Sequence, residues 1–458
     1  PKKEINLLLL RLRSLINTRG LIYTVNYVKS VRTGLLAYLA GSPTVVQGVR
    51  MTHDGIPMIL GNLIPTIRSR ESIPVFTLQL ITTVLYCTRY LNLGRNICLT
   101  DIIEDPKVGI LPDITKHMLS FWKDLGYKPS KSVIPKSLLW SKYHFTTKAG
   151  PNGHACWHSI SDLFSLPEQL RNSISIVGGE KLTKKMTLLE TFFKETNWLT
   201  NLLPHNKGKI RRLVSFPDKE MKVRTIAVGD YWSQTALRPL HSFLFRALKK
   251  IPQDCTFDQG SFKDKLDLNV KCFSVDLKAA TDRFPIKIIS SLLSSLLPLN
   301  YVRGWEDIMV GYPFEIPDSD TSCRYTVGNP MGFYSSWASF SICHHYVIYY
   351  LCKEHNKCFK TLNYTLLGDD IVIGDEVIGR EYMKLLNSLG VEYSVSKTLI
   401  SDSLIEFAKR LIYKGNEITP FPISAIREVT KAYYVLVGLL LELNKKGFDF
   451  KLPIPSIV

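Results

Sequence analysis

The sequence Tyr364-Thr-Leu-Leu-Gly-Asp-Asp-Ile-Val-Ile373 places one glycine and two adjacent carboxylates between an apolar run and a β-branched run. Gly and Asp suit tight turns and both flanks have strand composition, so we predict a strand, a turn and a second strand. Asp369 and Asp370 would leave the apolar scaffold side by side. Neighbouring carboxylates repel each other, and a divalent cation would compensate that charge. On this stretch alone, an ordinary Asp-rich hairpin turn is the simpler explanation.

The composition is that of a basic globular protein. The 458 residues are 45% hydrophobic, enough for about two or three packed units. A net charge of +18 indicates a polyanionic partner, most often nucleic acid, although solubility alone or an anionic membrane surface would also explain it. Nine scattered cysteines without a Cys-x-x-Cys pair favour reduced thiols over a disulfide scaffold or a zinc ribbon.

The N-terminal residues 1–50 are rich in Lys and Arg, and Leu7 to Leu15 has helical apolar spacing. Such a start fits the remains of a mitochondrial presequence, a solvated helix or a surface that contacts RNA phosphates. Because the chain begins at Pro1 without Met, we expect a fragment or a processed form. No stretch is a convincing transmembrane helix.

A basic segment precedes a strand-like run from Val223 to Val228, and a helix is predicted from Tyr231 to Lys250. The cations of this segment are Lys207, Lys209, Arg211, Arg212, Lys219, Lys222 and Arg224. Lys222 and Arg224 alternate with apolar residues and would share one face of a strand. Two cations on one face suit a triphosphate, and an exposed edge strand with protective charges explains them equally well.

Another short strand, Lys271 to Asp276, ends in a carboxylate, and Asp282 follows shortly after it. Apolar residues at helical spacing then run from Ile286 to Leu297. Asp282 therefore lies near a helix start, where it would serve as an N-terminal cap.

Glycines bracket the loop from Gly328 to Trp337, which leads into an apolar helix through Tyr350. Glycines allow a backbone to approach a ligand closely. Ser335 and Ser336 would either cap the helix or reach a sugar hydroxyl.

After the Asp369-Asp370 turn we predict a helix from Gly379 to Leu389 and a strand from Val391 to Val395. Lys397 follows on a polar turn, where a lone lysine is usually a solvated surface charge. A further strand is predicted from Glu406 to Tyr413, and one apolar helix with a Pro-rich tail after Pro420.

In this order the motifs resemble motifs F, A, B, C, D and E in the palm of viral RNA-dependent RNA polymerases, most closely the mitovirus branch of the narnavirus-like group. The stretches that carry the resemblance are Asp276-Leu-Lys-Ala-Ala-Thr-Asp282-Arg-Phe-Pro285, Gly328-Asn-Pro-Met-Gly-Phe-Tyr-Ser-Ser-Trp337, Leu367-Gly-Asp-Asp-Ile-Val-Ile373 and Glu406-Phe-Ala-Lys-Arg410. Lys148-Ala-Gly-Pro-Asn-Gly153 and Thr256-Phe-Asp-Gln259 are also similar to that family.

The resemblance implies an α+β right-hand polymerase with a ferredoxin-like antiparallel palm sheet. It implies an N-terminal extension and fingers over residues 1–150, fingers with motif F over 151–270, a palm over 271–415 and a short thumb over 416–458. It also implies nucleotidyl transfer from NTPs to an RNA 3′-hydroxyl, with an RNA template and product as partners. The expected location is the host mitochondrion, or otherwise the cytoplasm.

The resemblance also implies a role for each site residue. Asp276, Asp369 and Asp370 would hold two Mg²⁺ ions, or Mn²⁺. Lys397 would be the general acid toward pyrophosphate. The expected nucleotide-binding residues are Lys222, Arg224, Asp282, Gly328, Asn329, Ser335 and Ser336. Lys409 and Arg410 would grip the primer or product.

Two other functions are compatible with the sequence. A reverse transcriptase of the group II intron kind shares the palm, but usually carries a different residue in place of Gly368 and a bulky residue near Asp282. A non-catalytic RNA-binding remnant of a captured viral gene is the other. Intact Asp276, Asp369, Asp370 and Lys397 argue against such decay.

Overall fold

The computed structural model describes residues 2–70, 72–91, 98–196, 208–432 and 434–448. Helices and largely antiparallel sheets are both present, so the predicted α+β class is confirmed. Within the described ranges, no helix is long and apolar enough to span a membrane. Lys207 and residues 449–458 of the expected tail lie outside these ranges.

The helices before the first strand are α1 (Lys2–Arg19), α2 (Leu21–Leu39), α3 (Ile64–Arg68), α4 (Val75–Tyr86), α5 (Thr100–Ile103), α6 (Met118–Asp124), α7 (Ser159–Ser165), α8 (Glu168–Gly178) and α9 (Glu180–Glu195). The later helices are α10 (Tyr231–Leu248), α11 (Phe262–Lys265), α12 (Ala280–Arg283), α13 (Ile286–Leu296), α14 (Leu299–Val310), α15 (Ser336–Glu354), α16 (Glu376–Ser388), α17 (Ile423–Lys431) and α18 (Val435–Lys445).

The strands are β1 (Arg211–Pro217), β2 (Val223–Gly229), β3 (Cys272–Asp276), β4 (Phe314–Glu315), β5 (Ser322–Cys323), β6 (Tyr364–Leu367), β7 (Asp370–Ile373), β8 (Leu399–Ser401), β9 (Leu404–Phe407), β10 (Arg410–Tyr413) and β11 (Asn416–Glu417).

The palm sheet has the strand order β6-β7-β3-β8, and every neighbouring pair is antiparallel. Along the chain, helices separate β3 from β6, β7 follows β6 directly, and α16 leads on to β8. This connectivity is the β-α-β-β-α-β arrangement of a ferredoxin-like sheet. The predicted palm topology is therefore confirmed, as is the hairpin over Tyr364–Ile373.

Two long helices pack beneath this sheet because their sequences present apolar surface to it. Helix α15 is buried along almost its whole length, as expected for a helix that is apolar all round. Helix α16 approaches β3 closely, since a Cβ at Gly379 would lie 2.6 Å from the ring of Phe273. The sheet and both helices thus form one rigid layer below the turn at Gly368.

The other two sheets frame the palm. One has the order β2-β1-β4-β5, in which β1 and β2 form an antiparallel hairpin. The other has the order β11-β10-β9. Its apolar residues share a core with the N-terminal helices, where Leu8 and Val28 pack in one cluster with Leu404 and Leu411. The N-terminal helices therefore belong to the same folded body as the palm.

Three local predictions are wrong. Glu406–Tyr413 is not one strand but the β9–β10 hairpin, because Ala408 (φ 50°) and Lys409 (φ 67°) both adopt the left-handed conformation of a two-residue turn. Val391–Val395 is irregular apart from a bridge between Leu277 and Tyr393, and the palm's edge strand is β8. The region after Pro420 holds two helices, α17 and α18, where one was predicted. The domain boundaries stay a prediction.

The guanidinium of Arg410 is buried in an ion pair and is not exposed on the surface. Its Nε and Nη2 lie 2.8 and 2.5 Å from the carboxylate oxygens of Glu417, and the group lies 5.2 Å from the ring centroid of Phe262. Lys263 and Thr419 also contact this carboxylate. Arg410 thus ties β10 to β11, so the structure does not support the grip predicted for it.

We expect Arg410→Met to lower the free energy of unfolding by roughly 3 kcal/mol, because it leaves the buried Glu417 carboxylate without its main partner. The matched control is Arg380→Met, which breaks an exposed Arg–Glu pair with Glu376 and should cost less than about 0.5 kcal/mol. Urea unfolding measures both. If Arg410→Met instead leaves stability unchanged and weakens RNA binding, the predicted contact of Arg410 with the primer or product would be supported.

Candidate active site

A cleft of about 1200 Å³ opens above the end of the palm sheet. Most of the predicted site residues line it: Lys222, Arg224, Asp276, Asp282, Ser336, Asp369, Lys397 and Lys409. They come from the β1–β2 hairpin, the palm sheet, α12, the start of α15, the turn before β8 and the β9–β10 turn. The structure therefore brings residues that are far apart in sequence into the lining of one cleft.

Two carboxylates meet because of strand register. Asp276 ends β3 and lies directly opposite Asp370, which begins β7. Asp369 occupies the tight turn between β6 and β7, after Gly368 in the left-handed conformation (φ 62°). A side chain at Gly368 would also collide with Trp337, since its Cβ would lie 2.7 Å from the indole Nε1. Only glycine satisfies both constraints at this turn.

Two lysines compensate the carboxylates. The Lys397 Nζ lies 2.9 Å from Asp276 Oδ2, and the Lys409 Nζ lies 3.7 Å from Asp370 Oδ1. Burial raises the pKa of Asp370 to about 6, against the opposing effect of Lys409, and the carboxylates of Asp369 and Asp276 add to the rise. The carboxylates thus repel one another in a partly buried site. A bound cation would be stabilised there.

The chemistry of the donors fits Mg²⁺, which prefers hard carboxylate oxygens. The structure contains no metal, and within the described ranges no group of three His, Cys, Asp or Glu side chains is already arranged as a metal cage. The Lys397 and Lys409 ammonium groups instead lie against two of the three carboxylates. Asp276, Asp369 and Asp370 are therefore the side chains here whose chemistry suits such an ion.

The β1–β2 hairpin presents the two predicted phosphate cations to the cleft. Arg224 is exposed, and its Nε lies 2.5 Å from Asp218 Oδ2. Partial burial and the nearby Lys397 lower the pKa of Lys222. The neighbouring cation is Lys397, so an anion bound between Lys222 and Lys397 would be attracted by both ammonium groups.

The tip of this hairpin is fixed from the N-terminal region, a contact that the sequence did not predict. Arg32 of α2 donates to both carboxylate oxygens of Glu220 at 2.6 and 3.2 Å, and Thr88 donates to one of them at 3.0 Å. The Lys29 Nζ donates to the Glu220 carbonyl at 2.8 Å. These bonds hold Glu220 and Met221 in left-handed backbone conformations (φ 58° and 63°) that cost free energy for residues other than glycine.

Asp282 faces the cleft and does not cap a helix. It lies inside the short α12, while α13 begins after Pro285 without a side-chain cap. Its Oδ1 is buried and has no hydrogen-bond partner among the described residues. Burial, together with the charge of Asp101, raises the pKa of Asp282 to about 7. Asp282 is half-buried at the edge of the cleft, where a carboxyl is suited to bind a hydroxyl.

Of the two predicted serines, only Ser336 lines the cleft. Its hydroxyl donates to the Oδ1 of the buried Asn329, whose Nδ2 has no partner in the described part of the chain. The hydroxyl of Ser335 is fully buried and accepts a hydrogen bond from the Trp305 indole at 2.9 Å. Ser335 thus positions the start of α15, and its side chain is occupied away from the cleft.

The glycines of this loop allow it to pack closely against the protein's own backbone. A Cβ at Gly328 would lie 2.3 Å from the carbonyl oxygen of Thr281, and one at Gly332 would lie 2.4 Å from that of Ala227. The loop is therefore clamped between α12 and β2. Gly328 contributes by close packing, and the structure does not show it facing the space where a ligand would bind.

The cleft also contains residues that the sequence did not single out as site residues, including Arg89, His144, Lys148 and Trp337. Lys148 belongs to a recognised motif, so its position carried a signal. Arg89 lies on a short helical turn in the N-terminal region, where no motif marked it.

Comparisons with known proteins identify the family of this chain. The sequence model of the family described as mitovirus RNA-dependent RNA polymerase matches residues 136–452. The RNA-directed RNA polymerase of Cryphonectria parasitica mitovirus 1 is 35% identical over 204 residues, which are 43% of this chain and 25% of that protein. The chain thus matches only a quarter of the viral polymerase.

Two uncharacterized mitochondrial proteins of Arabidopsis thaliana are also similar. One is 33% identical over 223 residues, covering 44% of this chain and 88% of that protein. The other is 31% identical over 158 residues, covering 33% and 78%.

A solved RNA-dependent RNA polymerase of a human picobirnavirus, an insertion-loop deletion mutant, aligns with a TM-score of 0.33 and 15% identity over 47% of this chain and 48% of that one. The family match over residues 136–452 covers most of the chain and includes every predicted site residue. The chain belongs to the mitovirus RNA-dependent RNA polymerase family.

Proposed function

We propose that this chain is an RNA-dependent RNA polymerase that extends an RNA 3′-hydroxyl with NTPs, using two divalent ions held by Asp276, Asp369 and Asp370. The observation that carries the proposal is the register that sets Asp276 opposite Asp370, with Asp369 in the adjoining turn. When bound, the two ions would activate the 3′-hydroxyl and stabilise the departing pyrophosphate. Convergence of these residues favours an active enzyme over a non-catalytic remnant.

The cations around the cleft would bind and orient the triphosphate. Lys222 and Arg224 would contact phosphate oxygens from the hairpin side. Lys397, released from Asp276, would lie on the opposite side and donate its proton to the leaving pyrophosphate. Lys409, beside Asp370, would stay near the growing strand as the remaining member of the predicted grip.

Asp282 and Ser336 would recognise the ribose. Both line the cleft, and Asn329 holds the Ser336 hydroxyl from behind. A ribose 2′-hydroxyl could bond to the carboxyl of Asp282, which lines the cleft, whereas a deoxyribose could not make that bond. A preference for ribonucleotides separates this proposal from a reverse transcriptase.

The net charge of +18 supports an RNA template and product as partners, through contacts with phosphates. Similarity to a mitovirus polymerase and to two plant mitochondrial proteins supports a location in the mitochondrion. Imaging of the tagged chain against a mitochondrial marker would test the location, and exclusively cytosolic signal would overturn it.

Primer extension on an RNA template tests the activity directly. We expect the wild-type chain to incorporate ribonucleotides in Mg²⁺, and Asp276→Asn and Asp369→Asn each to abolish incorporation, because each removes a charged metal ligand. RNA binding should be largely kept, since phosphate contacts supply most of that affinity. The control is Asp402→Asn, an exposed carboxylate outside the main cleft, which should behave as wild type. Normal incorporation by either active-site variant would refute the assignment.

Asp282→Ala should reduce the preference for ribonucleotides over deoxyribonucleotides by roughly 10- to 100-fold, because the 2′-hydroxyl loses a partner worth about 1–3 kcal/mol. Asp282→Asn keeps the size and one acceptor, so it should lose less. The ratio of incorporation efficiencies is measured alongside the melting temperature. A changed melting temperature with an unchanged ratio would mean that Asp282 is structural only.

Lys397→Leu should slow single-turnover incorporation by roughly 100-fold while nucleotide affinity changes little, the signature of a group that acts in the transition state. Lys397→Arg keeps the charge but is a poor proton donor, so it should be nearly as slow. Lys271→Leu, an exposed lysine at the other end of β3, is the control. If affinity falls and the chemical step is unchanged, Lys397 is a binding cation.

Glu220→Gln should raise the KM for NTPs about tenfold, equivalent to ~1.4 kcal/mol, because it frees the hairpin tip that carries Lys222. Arg32→Met, although distant in sequence, should have the same effect. Glu315→Gln breaks an exposed pair with Lys209 in the same sheet and serves as the control. Steady-state kinetics decide, and an unchanged KM in Arg32→Met would contradict the role of this brace.

A further inference from the structure

A buried histidine lies directly behind the turn that carries Asp369. His344 is in the middle of α15 and is fully buried. Its Nδ1 lies 2.8 Å from the carbonyl oxygen of Gly368, and its Nε2 lies 2.7 Å from the hydroxyl oxygen of Tyr382 on α16. The ring also stacks on Tyr382, with an interplanar angle of 20°. The turn is thus linked to both helices beneath the palm sheet.

The two partners of His344 fix the direction of both of its hydrogen bonds. A carbonyl oxygen only accepts, so Nδ1 of His344 must carry the proton. Burial lowers the pKa of His344 to about 4, so the ring is neutral at physiological pH. Nε2 is therefore the acceptor, and the Tyr382 hydroxyl donates to it. Only one tautomer satisfies both partners, which makes the contact specific in orientation.

The Gly368 carbonyl matters because of the peptide to which it belongs. That peptide is planar and its N–H belongs to Asp369, so holding the carbonyl oxygen fixes the direction in which Asp369 leaves the turn. Trp337 closes the other side of Gly368, at the place where a Cβ would be. The turn is consequently held between the Trp337 indole and the His344 ring.

We propose that His344, oriented by Tyr382, is a positioning residue that aims the Asp369 carboxylate through its hydrogen bond to Gly368. The proposal deepens the polymerase function proposed above and rests on it. His344 is fully buried and is not among the residues that line the cleft. It acts as an outer partner of a ligand, and loss of such partners typically weakens metal binding or activity by 10- to 100-fold.

The next residue supplies a matched control. His345 is equally buried on α15, with Nδ1 2.8 Å from the Tyr364 hydroxyl and Nε2 3.1 Å from Asp254 Oδ2. It also makes one hydrogen bond to a tyrosine and one to an acceptor. Tyr364 begins β6, at the opposite end of that strand from the Gly368 turn, while Asp254 lies beside Leu366. Neither partner belongs to the turn, so a substitution at His345 disturbs the same helix without removing the hydrogen bond to Gly368.

Two substitutions at His344 separate its hydrogen bonds. In His344→Asn the amide nitrogen takes the place of Nδ1, so the donor to Gly368 is kept and the contact with Tyr382 is lost. In His344→Gln the amide takes the place of Nε2, so Tyr382 is kept and the donor to Gly368 is lost. His345→Gln removes one buried hydrogen bond elsewhere in the same helix.

Mn²⁺ titration followed by the electron paramagnetic resonance of free Mn²⁺ provides a readout that is independent of activity, with Asp369→Asn defining loss of the site. We expect His344→Gln to bind Mn²⁺ at least tenfold more weakly and to lose kcat in parallel, with KM for NTPs unchanged. His344→Asn and His345→Gln should stay within about threefold of wild type. Tyr382→Phe, which removes only the hydroxyl, should give an intermediate loss.

Equal losses in His344→Gln and His345→Gln, or a larger loss in His344→Asn than in His344→Gln, would overturn the proposal. If His344→Gln does not fold, Tyr382→Phe decides: wild-type Mn²⁺ affinity in this variant would also overturn it. If wild type binds Mn²⁺ through Asp369 but incorporates no nucleotide, the proposed function fails while the positioning of Asp369 is still tested by the titration.

Discussion

The antiparallel register between β3 and β7 is the constraint on which the rest of the site depends. It sets Asp276 opposite Asp370 at one end of a buried sheet, with Asp369 in the next turn. Slipping the register by one residue would turn one carboxylate to the other face of the sheet. Like charges this close are unfavourable, and Lys397 and Lys409 provide the compensating charge. The same repulsion that costs folding free energy prepares the carboxylates for a divalent cation.

The surroundings of this cluster extend across most of the described chain. The Gly328–Trp337 loop is clamped between α12 and β2, so the part of the cleft around Asp282 is positioned against the hairpin that carries Lys222. The N-terminal helices reach the same cleft from the other side, through the bonds of Arg32 to Glu220. The family match begins at residue 136, so this brace joins a segment outside the matched region to the hairpin that carries Lys222.

The sequence predicted the features that depend on short-range pattern and on motif order. Turn residues predicted the Tyr364–Ile373 hairpin, and apolar periodicity predicted the helices around Ile286 and Tyr231. The family resemblance predicted that Asp276 and Asp369 belong to one site. Contacts between distant segments left no local signal, which is why Arg32 and His344 were not predicted. The β9–β10 turn was missed because Ala408 and Lys409 are not typical turn residues, and Arg410 was misjudged because its partner Glu417 is visible only in the folded chain.

We propose that the ends of β3 and β7 form a divalent-cation site, and that Lys397 leaves Asp276 when the ions bind. The most direct measurement is anomalous scattering from crystals grown with Mn²⁺ and a non-hydrolysable NTP analogue. We predict anomalous density in contact with Asp276 and Asp369, with the Lys397 ammonium no longer within hydrogen-bond distance of Asp276. An intact Lys397–Asp276 pair with no anomalous density between β3 and the Gly368 turn would contradict the proposed cation site.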